Sequence, residues 1–305
     1  QRLFELPRKT VTPAELIRAI LRAPADLLWL GGIGTYVKSS EEEQSAAHDR
    51  ANDPLRVDAN ELRVRVVGEG ANLGFTQRAR IEFNLLGGKI NTDAIDNSAG
   101  VDTSDHEVNI KILLYDAMVR GELQGGIDER NKLLAAMTDE VAALVLRDNY
   151  EQTQSISITH TMGEQLLDIQ ARAMRAMEKA GKLDRVIEFL PDDETIAERH
   201  AAHIGLTRPE IAVLLAYSKI VLYADLLASD LPDDPLLVGD LLLYFPEVLR
   251  HRFPEVIGRH RLRREIIATY VTNNVINTNT VEAQLDLQVT PHVTADGSVL
   301  MNVKL

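Results

Sequence analysis

Val66-Val67-Gly68-Glu69-Gly70-Ala71-Asn72, followed by Asp96-Asn97-Ser98-Ala99-Gly100-Val101, pairs two places where an extended segment ends in a glycine-containing bend that carries an asparagine. Upstream of the first, Leu62, Val64 and Val66 alternate with polar residues, which predicts a strand from Glu61 to Val67. Downstream, Gly70 to Gly74 predicts a turn and Thr76 to Leu86 a helix closed by Gly87-Gly88. Strand, glycine turn and helix in that order make a unit of an α/β layer. In open α/β sheets, ligands lie outside the carboxyl ends of the strands, where small residues admit backbone and side-chain amides reach ribose or carboxamide groups. Asn72 and Asn97 occupy such positions. Each also suits an ordinary turn, since asparagine tolerates left-handed backbone.

Working outward, Thr12-Pro13-Ala14-Glu15 is a capping box, so a helix is expected from Pro13 to Arg22, stopped by Pro24. Asp26 to Leu30 reads as a buried strand running into Gly31-Gly32-Ile33-Gly34-Thr35, and Lys89 to Ile95 as another short strand ahead of Asn97. Glu41-Glu42-Glu43 opens a short helix that Asn52-Asp53-Pro54 breaks. From Asp105 the period becomes helical. Val108, Ile112, Tyr115 and Val119 fall on one face of the first long helix, and further helices are expected at 133–146, 159–180, 194–203, 209–227, 236–244, 246–252 and 261–275. Residues 281–290 then alternate strictly, and after Asp296-Gly297 so do 299–305, which writes a β-hairpin. The expected fold class is α/β then all-α: an α/β part over 1–120, a helical domain over 121–277 and a hairpin tail over 278–305.

Hydrophobic content of 45% with 26% charged residues belongs to a globular protein, and the net charge of −13 disfavours nucleic acid as a partner. No run approaches the roughly 18 uninterrupted apolar residues of a membrane helix, so no membrane partner is expected and a cytoplasmic location is. Zero cysteines exclude disulfides, thiolate metal sites and cysteine nucleophiles. Glu198, His200 and His203 lie near one helical face, but lacking further ligands they read as a solvated helix. Arg259, Arg261, Arg263 and Arg264 alternate faces in an acidic chain and read as intramolecular ion-pair partners. Glu69 reads as a structural carboxylate accepting turn amides.

Leu28-Trp29 before Gly31 to Val37, the Gly68-Glu69-Gly70-Ala71-Asn72 turn, Arg78-Ala79-Arg80-Ile81-Glu82-Phe83 and Asn97 through Lys111 together resemble the later half of the nucleotide domain of glutamate dehydrogenases, in the large bacterial NAD-specific class. The resemblance continues through Thr207 to Val213 and His260 to Thr269, covering most of residues 1 to about 277. It implies that residues 1–120 are the second half of a partial Rossmann-type, doubly wound layer. It implies NAD as cofactor, L-glutamate and 2-oxoglutarate as substrate and product, and a homo-oligomer. Asn72 would contact the nicotinamide-side ribose and Asn97 would sit near the nicotinamide. Gly70 belongs to that turn, and Gly32 and Gly34 would let the first loop approach the cofactor.

The resemblance also implies that the catalytic lysine and aspartate and the first glycine fingerprint lie upstream of Gln1. No residue of this chain is therefore assigned a catalytic role, and alone it is expected neither to turn over glutamate nor to bind NAD tightly. The alternative is a non-catalytic helical interaction module braced by its α/β part. Residues 285–297 resemble a strand-turn segment of secretin domains.

Overall fold

The computed structural model describes residue 4, residues 10–278 and the segments 288–293 and 299–304. Thr12 caps α1 (Pro13–Leu21): its hydroxyl accepts the Glu15 amide while the Glu15 carboxylate accepts the Thr12 amide. Such a reciprocal cap contributes about 1 kcal/mol. After Pro24 the chain extends into β1 (Ala25–Leu30), and the two-residue strands β2 (Val37–Lys38) and β3 (Val57–Asp58) pair in parallel. β4 (Val64–Glu69) lies parallel to β1, with Ala25 opposite Val64 and Leu30 opposite Glu69, so both strands end at the same edge. α2 (Gln77–Leu85) follows, its first turn capped by the Thr76 hydroxyl.

Two expected strands are corrected. The one drawn from Glu61 starts at Val64, because Asp58 and Glu61 cap each other around a single tight turn. The one drawn from Lys89 to Ile95 is reduced to a parallel bridge between Lys89 and Val66, after which the chain coils into α3 (Asp93–Asp96). The cause is Asn91, Asp93 and Asp96, whose side chains bond neighbouring turns and not a strand ladder.

Period 2 decides which strand face is covered. Leu28, Leu30 and Val67 point into a core with Leu21, Val37, Phe75, Ala79, Phe83 and Ile90, which Val64 joins from the start of β4 as the exception to the alternation. Leu27, Trp29 and Val66 on the other face are exposed, Trp29 at 59%.

The rest is helical: α4 (Ser98–Val119), α5 (Gly126–Ala136), α6 (Thr138–Met162), α7 (Glu164–Lys179), α8 (Asp193–Ala201), α9 (Arg208–Ala228), α10 (Val238–Tyr244), α11 (Glu247–Arg252), α12 (Pro254–Gly258) and α13 (Arg263–Thr278). The helix expected over 133–146 is the end of α5 and the start of α6, and that over 159–180 is divided at Gly163, whose φ of +53° ends α6. On α4 the apolar stripe at Val108, Tyr115 and Val119 is exposed, and the buried stripe is His106, Ile110, Leu113, Leu114 and Ala117. The helix is apolar on two sides, and spacing alone does not say which side finds a partner. α9 is long and apolar enough to cross a membrane by composition, yet Ile211, Ala212, Leu214, Leu215, Leu222 and Leu226 are buried as core.

The chain packs as two compact units, residues 1–98 with 156–214 and residues 99–155 with 215–305. The first holds the parallel strands. Residue 120, the boundary expected between the α/β part and the helical domain, lies inside the second. In the tail, β5 (Gln288–Val293) and β6 (Val299–Lys304) pair antiparallel, Gln288 opposite Lys304 and Val293 opposite Val299. The alternating residues 281–287 and the Asp296-Gly297 turn lie outside the described residues.

Candidate functional site

The shared carboxyl edge of β1 and β4 brings the Gly31 loop and the Gly70 turn side by side. Ala71 donates its amide to the Leu30 carbonyl across that edge. Beneath the turn, the fully buried Glu69 carboxylate accepts from Arg80 Nε at 2.7 Å and Arg80 Nη2 at 2.9 Å, and from the Phe75 amide at 3.1 Å. Arg80 sits on the core face of α2 between Ala79 and Phe83, which is why it can reach inward. Burial is the strongest single influence and opposes its charge, but Glu69, Asp93 and Asp96 together lift Arg80 above the ordinary guanidinium value.

Two more carboxylates finish the turn. Asp93 accepts the Leu73 amide at 2.8 Å and faces Arg80 at 3.3 Å. Asp96 accepts the Glu69 amide at 3.0 Å and the Asn91 side chain at 3.0 Å. Burial pushes the Asp96 carboxyl up, against the pull of those hydrogen bonds. Asn97 follows directly at the end of α3, and its side-chain amide donates to the Asn72 side-chain oxygen. The two asparagines are therefore joined at one edge, Asn72 exposed and Asn97 half-buried. Their pairing uses one N–H of Asn97 and one lone pair of the Asn72 oxygen, leaving the Asn72 NH2 and the Asn97 side-chain oxygen outside that bond.

The glycines divide by surroundings. A Cβ on Gly70 would lie 2.6 Å from Trp29 Cζ2, so glycine there lets the indole lie across the turn. Gly34 is buried with φ +144°, and a Cβ would meet Asn52 Nδ2 at 2.7 Å. Gly32 is exposed with nothing near its missing Cβ, so the first loop offers an open approach.

Residue spacing did not reveal the cations that fix both bends. Arg80 is one. Arg56 is the other, fully buried and donating to the Thr35 carbonyl at 2.9 Å, the Asp49 carbonyl at 2.6 Å and Gln44 Oε1 at 2.6 Å. A polar residue between apolar neighbours on a helix's core face was the available signal for Arg80. Elsewhere, His203 pairs with Glu164 at 2.7 Å and not with Glu198. Arg259 pairs with Asp116 and Glu122, and Arg263 and Arg264 with Asp233.

Two family models match this chain: the catalytic domain of bacterial NAD-glutamate dehydrogenase over residues 1–159 and the glutamate dehydrogenase C-terminal domain over residues 203–289. Among curated proteins, the NAD-specific glutamate dehydrogenase of Pseudomonas aeruginosa is 52% identical over 274 residues, 90% of this chain and 17% of that protein. Those of Halomonas elongata and Mycobacterium tuberculosis are each 49% identical, over 91% and 88% of this chain and 17% and 16% of their own length. The chain thus spans about a sixth of the length of these relatives. A match over more than half of its residues, reinforced by these identities, means that the chain belongs to the bacterial NAD-glutamate dehydrogenase family.

Proposed function

We propose that the edge formed by the Gly31 loop and the Gly70 turn is the nicotinamide side of an NAD site, serving the reversible oxidative deamination of L-glutamate to 2-oxoglutarate and ammonia. The observation that carries the reading is the direct hydrogen bond between Asn97 and Asn72 at the end of a parallel strand pair. The strands belong to a doubly wound, Rossmann-type layer in this reading: α2 links β4 to the parallel bridge at Lys89 as a crossover helix does.

NAD fits the residues present. The open space at Gly32 admits a close approach, and the uncommitted amide groups of the asparagine pair suit a ribose hydroxyl and a carboxamide. When bound, NAD accepts the hydride from the substrate carbon. This chain's residues orient and do not react: Asn72 would hold the ribose and Asn97 the carboxamide, while Glu69, Arg80, Asp93 and Asp96 keep the bend in shape before ligand arrives. A homo-oligomeric assembly is part of the same proposal.

Exchanging this chain for the matching stretch of the Pseudomonas aeruginosa enzyme gives a complete protein in which glutamate-dependent NAD reduction can be followed. There Asn97→Ala should lower kcat/KM by roughly one to three hydrogen bonds' worth, about 1–3 kcal/mol. An unchanged value returns Asn97 to an ordinary turn. Calorimetric titration of the 305-residue chain with NAD should give millimolar binding or none, because Gly31-Gly32-Ile33-Gly34 is not the Gly-x-Gly-x-x-Gly cradle that holds a pyrophosphate; micromolar binding would contradict the assignment of which half of the site it carries.

A further inference from the structure

Asp102 and His106, four residues apart, share one face of α4, and Asp148 of α6 meets them within the second unit. One potential ligand atom from each lies within 4.8 Å of the other two. The His106 ring is 3% exposed and stacks on Tyr244 at 4.4 Å between centroids. Its Nδ1 is buried with no hydrogen-bond partner, and its Nε2 lies 3.8 Å from Asp102 Oδ1, beyond hydrogen-bonding distance. The buried Oδ2 of Asp102 also has no partner. A buried polar atom left unsatisfied costs roughly 1–3 kcal/mol, so two orphans one turn apart on α4, with the Asp148 carboxylate of α6 brought to the same cluster, point to an occupant.

We propose that Asp102, His106 and Asp148 form a binding site for a first-row divalent cation of the zinc or cobalt type, one that pins α4 against α6. One imidazole nitrogen and two carboxylates make a donor set these ions accept, whereas magnesium and calcium prefer oxygen throughout. Three protein ligands leave a position for water. Ligand atoms about 2.0–2.2 Å from zinc stand roughly 3–3.5 Å apart in a tetrahedron, so the two aspartates need to rotate inward by about an ångström. The competing occupant is the Lys219 ammonium on α9, which lies in the field of Asp148, Asp102 and Glu151. Arg147 also approaches Asp148, at 3.8 Å, from the solvent side.

Titrating the 305-residue chain with Co2+ should give one equivalent of binding with visible d–d absorption, displaced by Zn2+. His106→Gln and Asp148→Asn should each weaken binding by about tenfold or more, with the far-UV circular dichroism unchanged, while His200→Gln at the surface leaves it intact. Lys219→Met removes the rival cation and should preserve or tighten binding. Should His106→Gln fail to fold, the rise in melting temperature that Zn2+ gives the wild-type chain must be absent from Asp148→Asn. No stoichiometric binding, or binding that survives loss of both His106 and Asp148, means that Lys219 and water satisfy the cluster and overturns the proposal.

Discussion

At Gly70 the chain leaves β4 through a turn held from below by an interior ion pair and from the side by two carboxylates, whereas at Gly31 it leaves β1 through a loop whose first three residues are exposed. The loop's main ties are at its far end, where the Thr35 amide donates to Asp49 at 2.9 Å, the Thr35 carbonyl accepts from Arg56 and the Tyr36 hydroxyl donates back to the Ile33 carbonyl at 3.3 Å. The two bends share one edge of the parallel strands. Their contrast separates a surface set by folding from one free to adjust to what binds, a division of labour expected where one wall must be preorganised and another must close.

The largest effect expected from that contrast comes from the ion pair. Arg80→Ala would leave the Glu69 carboxylate buried without its cation. Breaking a buried pair on one side costs about 3–5 kcal/mol, a loss that urea unfolding followed by circular dichroism should register. Replacing both partners by apolar residues of similar volume should recover much of it. A loss below about 1 kcal/mol, the scale of an exposed pair, would mean that the turn is no better fixed than the loop.

A middle-sized effect should separate the glycines. Gly70→Ala drives a methyl into the Trp29 ring, and overpacking of that kind costs roughly 1–3 kcal/mol. Gly32→Ala meets nothing within 4 Å and needs no positive φ, so its change in stability should stay within about 0.5 kcal/mol. The indole is the diagnostic partner: on a Trp29→Ala background Gly70→Ala should become much less costly, since residues in contact do not act additively. Equal costs at Gly32 and Gly70 would erase the distinction between the bends.

The legible parts of this molecule were those written in local pattern. The capping residues Thr12 and Thr76, the glycine-terminated strands and the long apolar face of α9 could be read because each depends on neighbours within a few positions. The meeting of Asn72 with Asn97 was legible only in half: Asn72 follows a strand as read, but Asn97 follows the helix α3 and reaches Asn72 through the tertiary fold. Arg80 and Arg56 could not, since their partners are chosen by tertiary contact across 11 and 21 residues. The Val108 stripe on α4 misled for a related reason. Spacing identifies an apolar face, but burial depends on which neighbour arrives, and the neighbours took the side of Ile110 and Leu114.

The smallest expected effect is in the open loop, where pH should act and the turn should not follow. Asp49 is held below the ordinary carboxylate value of 3.8, first by the Asn52 side chain and then by the Thr35 amide. Because the folded value is the lower one, the tie is fully present above pH 3.8 and fades as pH falls through the depressed value. Asp49 is half-buried and its side chain ties only Thr35 and Asn52 among the described residues, so its loss should loosen the loop without unfolding the unit. Amide exchange at Thr35, referenced to Phe75 in the turn, should therefore accelerate on acidification while Phe75 lags. Asp49→Asn should bring the faster Thr35 exchange to neutral pH and flatten its pH dependence, because an amide oxygen accepts without titrating. If Thr35 and Phe75 instead lose protection together, the two bends open as one unit, and the loop has no independence with which to close over a ligand.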